Sequence, residues 1–258
     1  MHALTHMINY YNNTVNEDIY FSVAQSLLEN LDQLSGGNIY DWAQICCVSP
    51  STISRFCQKL GYKSFQEFKL GLSNAIQNYN MLNRYVPINK ISTYGSEEIA
   101  YLSALADIVE DFRKKIDQNK LDEMADIIHR RKNIRIYTNG IYMHETNLQT
   151  NLLLSGHTTR IITSPAMQIK DASNIAEGTA VILALPNVHE KTLSLELLQI
   201  LQQKKTCILL LTNSTRSVYL KYAFCSFCFD GNMTQMDDFY FTMFLSMLSI
   251  TYRNKYLS

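Results

Sequence analysis

Hydrophobic positions over the first 81 residues recur with helical spacing. Tyr20, Ala24, Leu27, Leu28 and Leu31 fall on one face, and Ser35-Gly36-Gly37 ends the pattern. Ile39, Trp42, Ala43 and Cys46 are spaced i, i+3, i+4, i+7, and Ile53, Phe56, Cys57 and Leu60 repeat that spacing. Ser64 and Glu67 stand at the offset of a capping box, which predicts a fourth helix through about Ala75. Residues 82–97 lose the periodicity, and Pro87 and Gly95 mark a connector. Helical spacing returns over Ile99–Asp117 and Leu121–Arg130.

Beyond Arg130 the rhythm changes. Ile134–Tyr137, Thr159–Ile162, Ala180–Leu185 and Cys207–Leu211 are short, β-rich or wholly apolar runs, with helical patterns at 143–155, 190–203 and 216–223 between them. Phe224–Phe229 predicts a further strand and 237–252 a closing helix. Continuous apolar strands alternating with helices describe a parallel sheet covered on both faces. The expected fold class is an all-α domain followed by an α/β three-layer sandwich of about five strands. The expected boundaries are a first domain over 1–81, a linker and the start of a connecting helix over 82–107, and a second domain over 108–258.

Composition changes this picture little. The 258 residues are 47% hydrophobic and 18% charged, as in an ordinary globular protein, and the formal net charge is zero. No global basic field draws the chain to nucleic acid or membrane, so any attraction to DNA must be local. Within 51–70 it is: Arg55, Lys59, Lys63 and Lys69 face only Glu67. The N-terminus lacks a basic stretch followed by an apolar run, and Phe239–Tyr252 is broken by Thr242, Ser246, Ser249 and Thr251, so neither a secretion signal nor a membrane span is expected. The six cysteines lie inside apolar patterns, which fits a reducing, cytoplasmic setting.

Asp41–Leu60 has the makings of a helix-turn-helix. Cys47-Val48-Ser49 is a turn short enough to force a sharp crossing between its two helices, with small Ala43 at the expected closest approach. Ser49 is a good N-cap, Pro50 takes the first helical position, and Gly61 follows the helix. With Ile53 and Phe56 turned to the core, Ser51, Thr52, Arg55, Gln58 and Lys59 project outward, and no acidic residue occurs from Pro50 to Gln66. In this motif the N-terminal residues of the second helix reach base edges in the major groove. Arg55 can donate twice to guanine, Ser49, Ser51 and Thr52 can bond bases or phosphates, and Lys59 and Lys63 suit phosphate anchoring. The expected DNA-binding set is therefore Ser49, Ser51, Thr52, Arg55, Gln58, Lys59 and Lys63. The plainer alternative is a small helical bundle with a solvated polar face.

The run Val48-Ser49-Pro50-Ser51-Thr52-Ile53-Ser54-Arg55-Phe56, continued by Leu60-Gly61-Tyr62 and Phe65-Gln66-Glu67-Phe68-Lys69, closely resembles the N-terminal domain of RpiR/MurR-type bacterial regulators. Cys47, where glycine is common, and Gln58, where lysine is frequent, depart from that pattern. The resemblance implies a DNA-binding repressor or activator of sugar or amino-sugar metabolism, with a C-terminal SIS (sugar isomerase) domain. Its partners would be a double-stranded DNA operator, further copies of the chain in a dimer or tetramer, and a small-molecule effector.

The second half resembles a SIS domain more weakly, at Ile134–Gly140, Val181–Glu190 and Leu211–Ala223. Where the family has Ser, Ser, Gly and Thr to cradle a phosphate, this chain has Ala184, Pro186, Asn187 and His189. Alanine and proline side chains donate nothing, so an ordinary sugar phosphate is not the expected effector. Asn139, Gly140, Asn187, His189 and Glu190 are the candidate ligand contacts, by the rule that α/β sheets bind ligands at their strand C-termini. His144 and Glu145 are expected on an exposed helix face, and Cys225 and Cys228 as packing residues. The apolar Phe239–Ile250 segment offers a surface for a two-fold contact between copies. No catalytic set, metal site or cofactor is expected. Two other readings stay open: a SIS-type sugar-phosphate isomerase, and an interaction protein with a vestigial helix-turn-helix.

Overall fold

The computed structural model describes residues 2–34, 36–77, 85–86, 88–138, 143–185, 195–231 and 235–257. The chain divides into two compact units, Met1–Asn83 and Arg84–Ser258, each with its own core.

The first unit is helical: α1 (His2–Asn13), α2 (Ile19–Glu29), the single turn α3 (Leu31–Leu34), α4 (Ile39–Ile45), α5 (Pro50–Lys59) and α6 (Phe65–Gln77). The apolar stripes read from the sequence form its core. Val23, Ala24 and Leu27 meet Trp42, Ala43, Ile53, Phe56 and Phe68, all buried. Trp42 stands edge-on to Phe65 at 4.9 Å and to Phe68 at 6.0 Å, an aromatic geometry that adds to simple area burial. The sequence pattern does not predict α1, because its core positions Ala3 and Met7 are few among polar neighbours. It packs on α2 and α6. Only half of the expected capping box forms: Ser64 Oγ accepts from the Glu67 N–H at 3.2 Å, whereas the Glu67 carboxylate accepts from the Lys63 N–H at 2.7 Å.

The second unit contains α7 (Ile88–Tyr94), α8 (Glu97–Lys115), α9 (Gln118–His129), β1 (Asn133–Tyr137), α10 (Met143–Leu154), β2 (Thr158–Ile162), α11 (Pro165–Asn174), β3 (Ala180–Leu185), α12 (Leu195–Gln203), β4 (Cys207–Thr212), β5 (Cys225–Cys228) and α13 (Asp238–Tyr256), with short 3-10 turns at Val218–Tyr222 and Gln235–Asp237. The five strands are all parallel, in the order β2-β1-β3-β4-β5. Alternate side chains feed two cores. Ile134, Ile182, Leu209 and Leu211 face α8, α9, α10 and α13, while Val181, Leu183, Ile208 and Leu210 face α11 and α12. Burial on both faces explains why β3 and β4 appear in the sequence as unbroken apolar runs.

Two expectations need correction, and one helix has no counterpart among the sequence patterns. The stretch treated as a connector contains α7, and Ala100 and Ala104 of α8 are buried in the α/β core, so this unit begins ahead of residue 108. Helix α11 lacks an apolar period because a buried position is taken by Gln168, whose Nε2 donates to the carbonyls of Thr138 (3.0 Å) and Ile162 (2.9 Å) and ties β1 to β2. The Phe239–Ile250 segment is not a free surface. Tyr240, Phe241, Phe244, Leu245 and Leu248 are buried in the unit's own core, and Phe227 stacks on Phe244 at 4.3 Å. Among the described residues an apolar stripe left open lies on α8, where Ile99 (57% exposed), Leu102 (66%) and Val109 (48%) share a heptad spacing.

Candidate functional site

Two Schellman turns shape the helix-turn-helix. At the end of α4 the N–H of Cys47 donates to the carbonyl of Gln44 (3.1 Å) and that of Val48 to Ala43 (2.9 Å). This requires a left-handed backbone at Cys47, which has φ +52°, and accounts for the glycine common at that position in the family. At the end of α5 the same pair of bonds runs from Gly61 to Gln58 (2.9 Å) and from Tyr62 to Cys57 (3.0 Å), with Gly61 at φ +95°. Asn38 and Asp41 form a full capping box at the start of α4. Ser49 caps α5 by accepting from the Thr52 N–H at 3.3 Å, with Pro50 at the first helical position.

Ser49 Oγ also lies 2.7 Å from Ser51 Oγ and 2.9 Å from Thr52 Oγ1, so three hydroxyls cluster at the positive end of the α5 dipole. Ser49, Ser51, Arg55, Gln58, Lys59 and Lys63 are exposed and Thr52 is half-buried, while Ile53, Phe56 and Cys57 are buried on the opposite face. All seven proposed contact residues thus belong to α5, its cap and the loop that follows it. Lys59 Nζ lies 5.8 Å from the centroid of Tyr10 and 5.1 Å from that of Tyr20, a partnership the sequence pattern did not reveal. Behind this face His6 Nδ1 pairs with Tyr62 Oη at 2.9 Å, and burial lowers the His6 pKa to about 4.

In the second unit, Asn139, Gly140, Asn187, His189 and Glu190 lie outside the described residues. At the C-terminal ends of β1 and β3 the structure places Thr138 and Ala184 beside His144, Glu145 and Asp238. Glu145 is 1% exposed, against the expectation of an exposed helix face, and His144 is half-buried with Nδ1 2.7 Å from Ser246 Oγ. Burial, with Asp237 next to it, raises the Asp238 carboxyl to about 7. Apolar periodicity carries no signal for Thr138 or Asp238. Among the described residues no group of three or more His, Cys, Asp or Glu is arranged to hold a metal ion, and no helix is long and apolar enough to cross a membrane.

Residues 6–79 match the model of the rpiR-family helix-turn-helix domain. An uncharacterised HTH-type transcriptional regulator of Clostridium perfringens is 28% identical over 173 residues, 64% of this chain and 60% of that protein. One from Haemophilus influenzae is 24% identical over 123 residues, 46% of this chain and 42% of that one. The matches thus span less than two thirds of either relative's length. The sugar isomerase domain of an RpiR transcription factor from Sphaerobacter thermophilus superposes with a TM-score of 0.50 at 11% identity, covering 62% of this chain and 91% of that one. The two units are therefore a helix-turn-helix domain and an α/β domain with the fold of a sugar isomerase domain. Within that class, the rpiR-family likeness is carried by residues 6–79, and the likeness of the α/β domain is one of fold.

Proposed function

We propose that the chain is a DNA-binding transcriptional regulator, of sugar or amino-sugar metabolism, whose α/β domain assembles copies of the chain and senses a small molecule. One observation carries this reading: the exposed side of α5 and the loop after it combine a capped, hydroxyl-rich N-terminus with Arg55, Lys59 and Lys63 and have no acidic residue. That side supplies phosphate donors where a recognition helix enters the major groove, and a forked donor for guanine one turn along. Selection of bound sequences from random DNA, followed by retention of the selected duplex in competition with unrelated DNA, tests the reading. Retention that does not discriminate between the two would overturn it.

Assembly is supported by α8. Its stripe Ile99, Leu102, Ala106 and Val109 is exposed, and the helix runs from acidic Glu97 and Glu98 to basic Arg113, Lys114 and Lys115. An antiparallel second copy would cover the apolar stripe and bring opposite charges together at both ends, as a two-fold contact requires. A dimer presents two recognition helices to a pseudo-palindromic operator, which raises affinity through effective concentration.

A further inference from the structure

We infer that the α/β domain carries a DNA-backbone surface of its own, formed by cations gathered at the end of the sheet where its strands begin. This rests on the reading of the chain as a DNA-binding regulator and adds a second place at which it touches the duplex.

The topology does the gathering. All five strands are parallel, so the segments that lead into them lie at one end of the sheet. Arg130 and Lys132 lead into β1, and Lys204 and Lys205 into β4. Helix α13 ends at the same level, because Tyr256 stacks on His129 at 3.6 Å, and its last turn adds Arg253 and Lys255. In the entering segments and the last helical turns before them, the acidic residues are Asp126, Asp171 and Glu177. Each already faces a cation: Lys255 at 2.5 Å, Arg135 at 2.9 Å and Lys205 at 2.9 Å. Among the described residues, Arg130, Lys132, Lys204 and Arg253 have no carboxylate within ion-pair distance. Asp122 and Glu123 lie on the side of α9, about 9–10 Å back from its end.

Cations also settle at helix C-termini to complement the negative end of the dipole. That effect fades beyond the last turn, and the exposed Lys132 stands past the end of α9. The chain is neutral overall, so an unpaired excess of this kind is local. Its spacing suits a duplex. Strands β1 and β4 are two places apart in the sheet, so their entering cations start about 10 Å apart, close to the roughly 12 Å between phosphates across a major groove. Lysine and arginine presented this way contact backbone and carry no base preference. DNA is the favoured polyanion because a helix-turn-helix seated on its operator holds the flanking duplex at high effective concentration. Contacts too weak to act alone then add to affinity.

The test compares the selected operator as a short duplex with the same site extended by about one helical turn, roughly 10 bp, on each side. The full-length protein is expected to bind the extended duplex roughly tenfold more tightly at low salt, through the added phosphate contacts. Arg130→Gln, Lys132→Gln and Lys204→Gln together should abolish that gain. They should also lower the log–log salt slope on the extended duplex by roughly three, one for each cation removed. Affinity for the short duplex and thermal unfolding should stay as in the wild type. Arg216→Gln removes an exposed cation past the other end of β4 and should change nothing, which controls for net charge. If the triple variant does not fold, Lys132→Gln alone decides, with a slope lower by about one. Equal affinity of the wild type for both duplexes, a gain that survives the triple change, or an equal loss with Arg216→Gln overturns the inference. If the duplexes bind alike while phosphatidylserine vesicles retain the wild type and not the triple variant, the surface faces a membrane and the inference falls. Failure to retain the short duplex strikes the regulator reading itself, and this inference with it.

Discussion

The indole N–H of Trp42 donates to the backbone carbonyl of Leu34 at 3.2 Å, pinning the start of the helix-turn-helix to the turn before it. Gly37 lies beneath the same ring: a Cβ there would stand 3.0 Å from Trp42 Cδ1 and 3.1 Å from Nε1. Phe65 and Phe68 hold the ring from other sides, so it cannot move aside cheaply. Gly37→Ala should cost roughly 1–3 kcal/mol, the usual range for overpacking a tight core. Chemical denaturation of the first domain checks this, and an unchanged midpoint would show that the ring has room to shift.

Cys47 presents the opposite case. Its left-handed backbone costs about 1–2 kcal/mol for a residue with a Cβ, and its side chain is exposed, so little packing is lost on removing it. Glycine returns roughly 0.5–1 kcal/mol of that as extra freedom of the unfolded chain. Cys47→Gly is therefore expected to stabilise the domain by about 0.5–1 kcal/mol, read as a higher denaturation midpoint at constant slope.

On DNA, Arg55→Ala should lose roughly 1–3 kcal/mol of specific binding and relax preference at one base position. Lys63→Ala should weaken all sequences alike and reduce the salt dependence by about one counterion. Titrations of the selected operator and of unrelated DNA at several salt concentrations separate the two effects. Equal losses on both DNAs for Arg55→Ala would remove it from base reading.

The buried His6 makes the first domain sensitive to acid. Its pKa falls from 6.5 in the unfolded chain to about 4 in the fold. Between those values the unfolded chain binds the proton and the folded one does not, so stability rises with pH through this window and is lost as pH falls through it. The loss should reach roughly 3 kcal/mol at the acid end. Denaturation across the window should show the slope in wild type and a flatter one in His6→Gln.

If α8 pairs copies of the chain, Leu102→Glu combined with Val109→Glu should shift sedimentation from dimer to monomer without loss of folded structure, since both side chains are exposed. A dimer that survives both changes places the contact elsewhere.

Much of this architecture is legible in the chain because its causes are local. Ser49, Pro50 and Gly61 act through their own backbone neighbours, and β3 and β4 declare burial on both faces by having no polar residue before Thr212. The rest depends on tertiary context. Gln168 fills a core position by bonding two carbonyls, which no apolar period can register. Thr138, Glu145 and Asp238 are polar residues whose burial is decided by elements far away in sequence. The α13 series of Phe, Met and Tyr suits a core as well as an interface, and only the sheet beneath it shows which was built.

The parallel sheet also sets the order in which the molecule can assemble itself. Ile134 lies beside Ala180, and Leu209 beside Cys225, so every strand pair closes a long loop before it gains a contact. One face, though packed by α8, α9 and α10, then stays incompletely covered until Phe241, Phe244 and Leu248 arrive on the last helix. The helical domain closes within residues 3–72 and does not wait for any of this. During synthesis the reading head is therefore finished first, while apolar strands of the second domain remain open to one another and to neighbouring chains, and losses to aggregation should concentrate there.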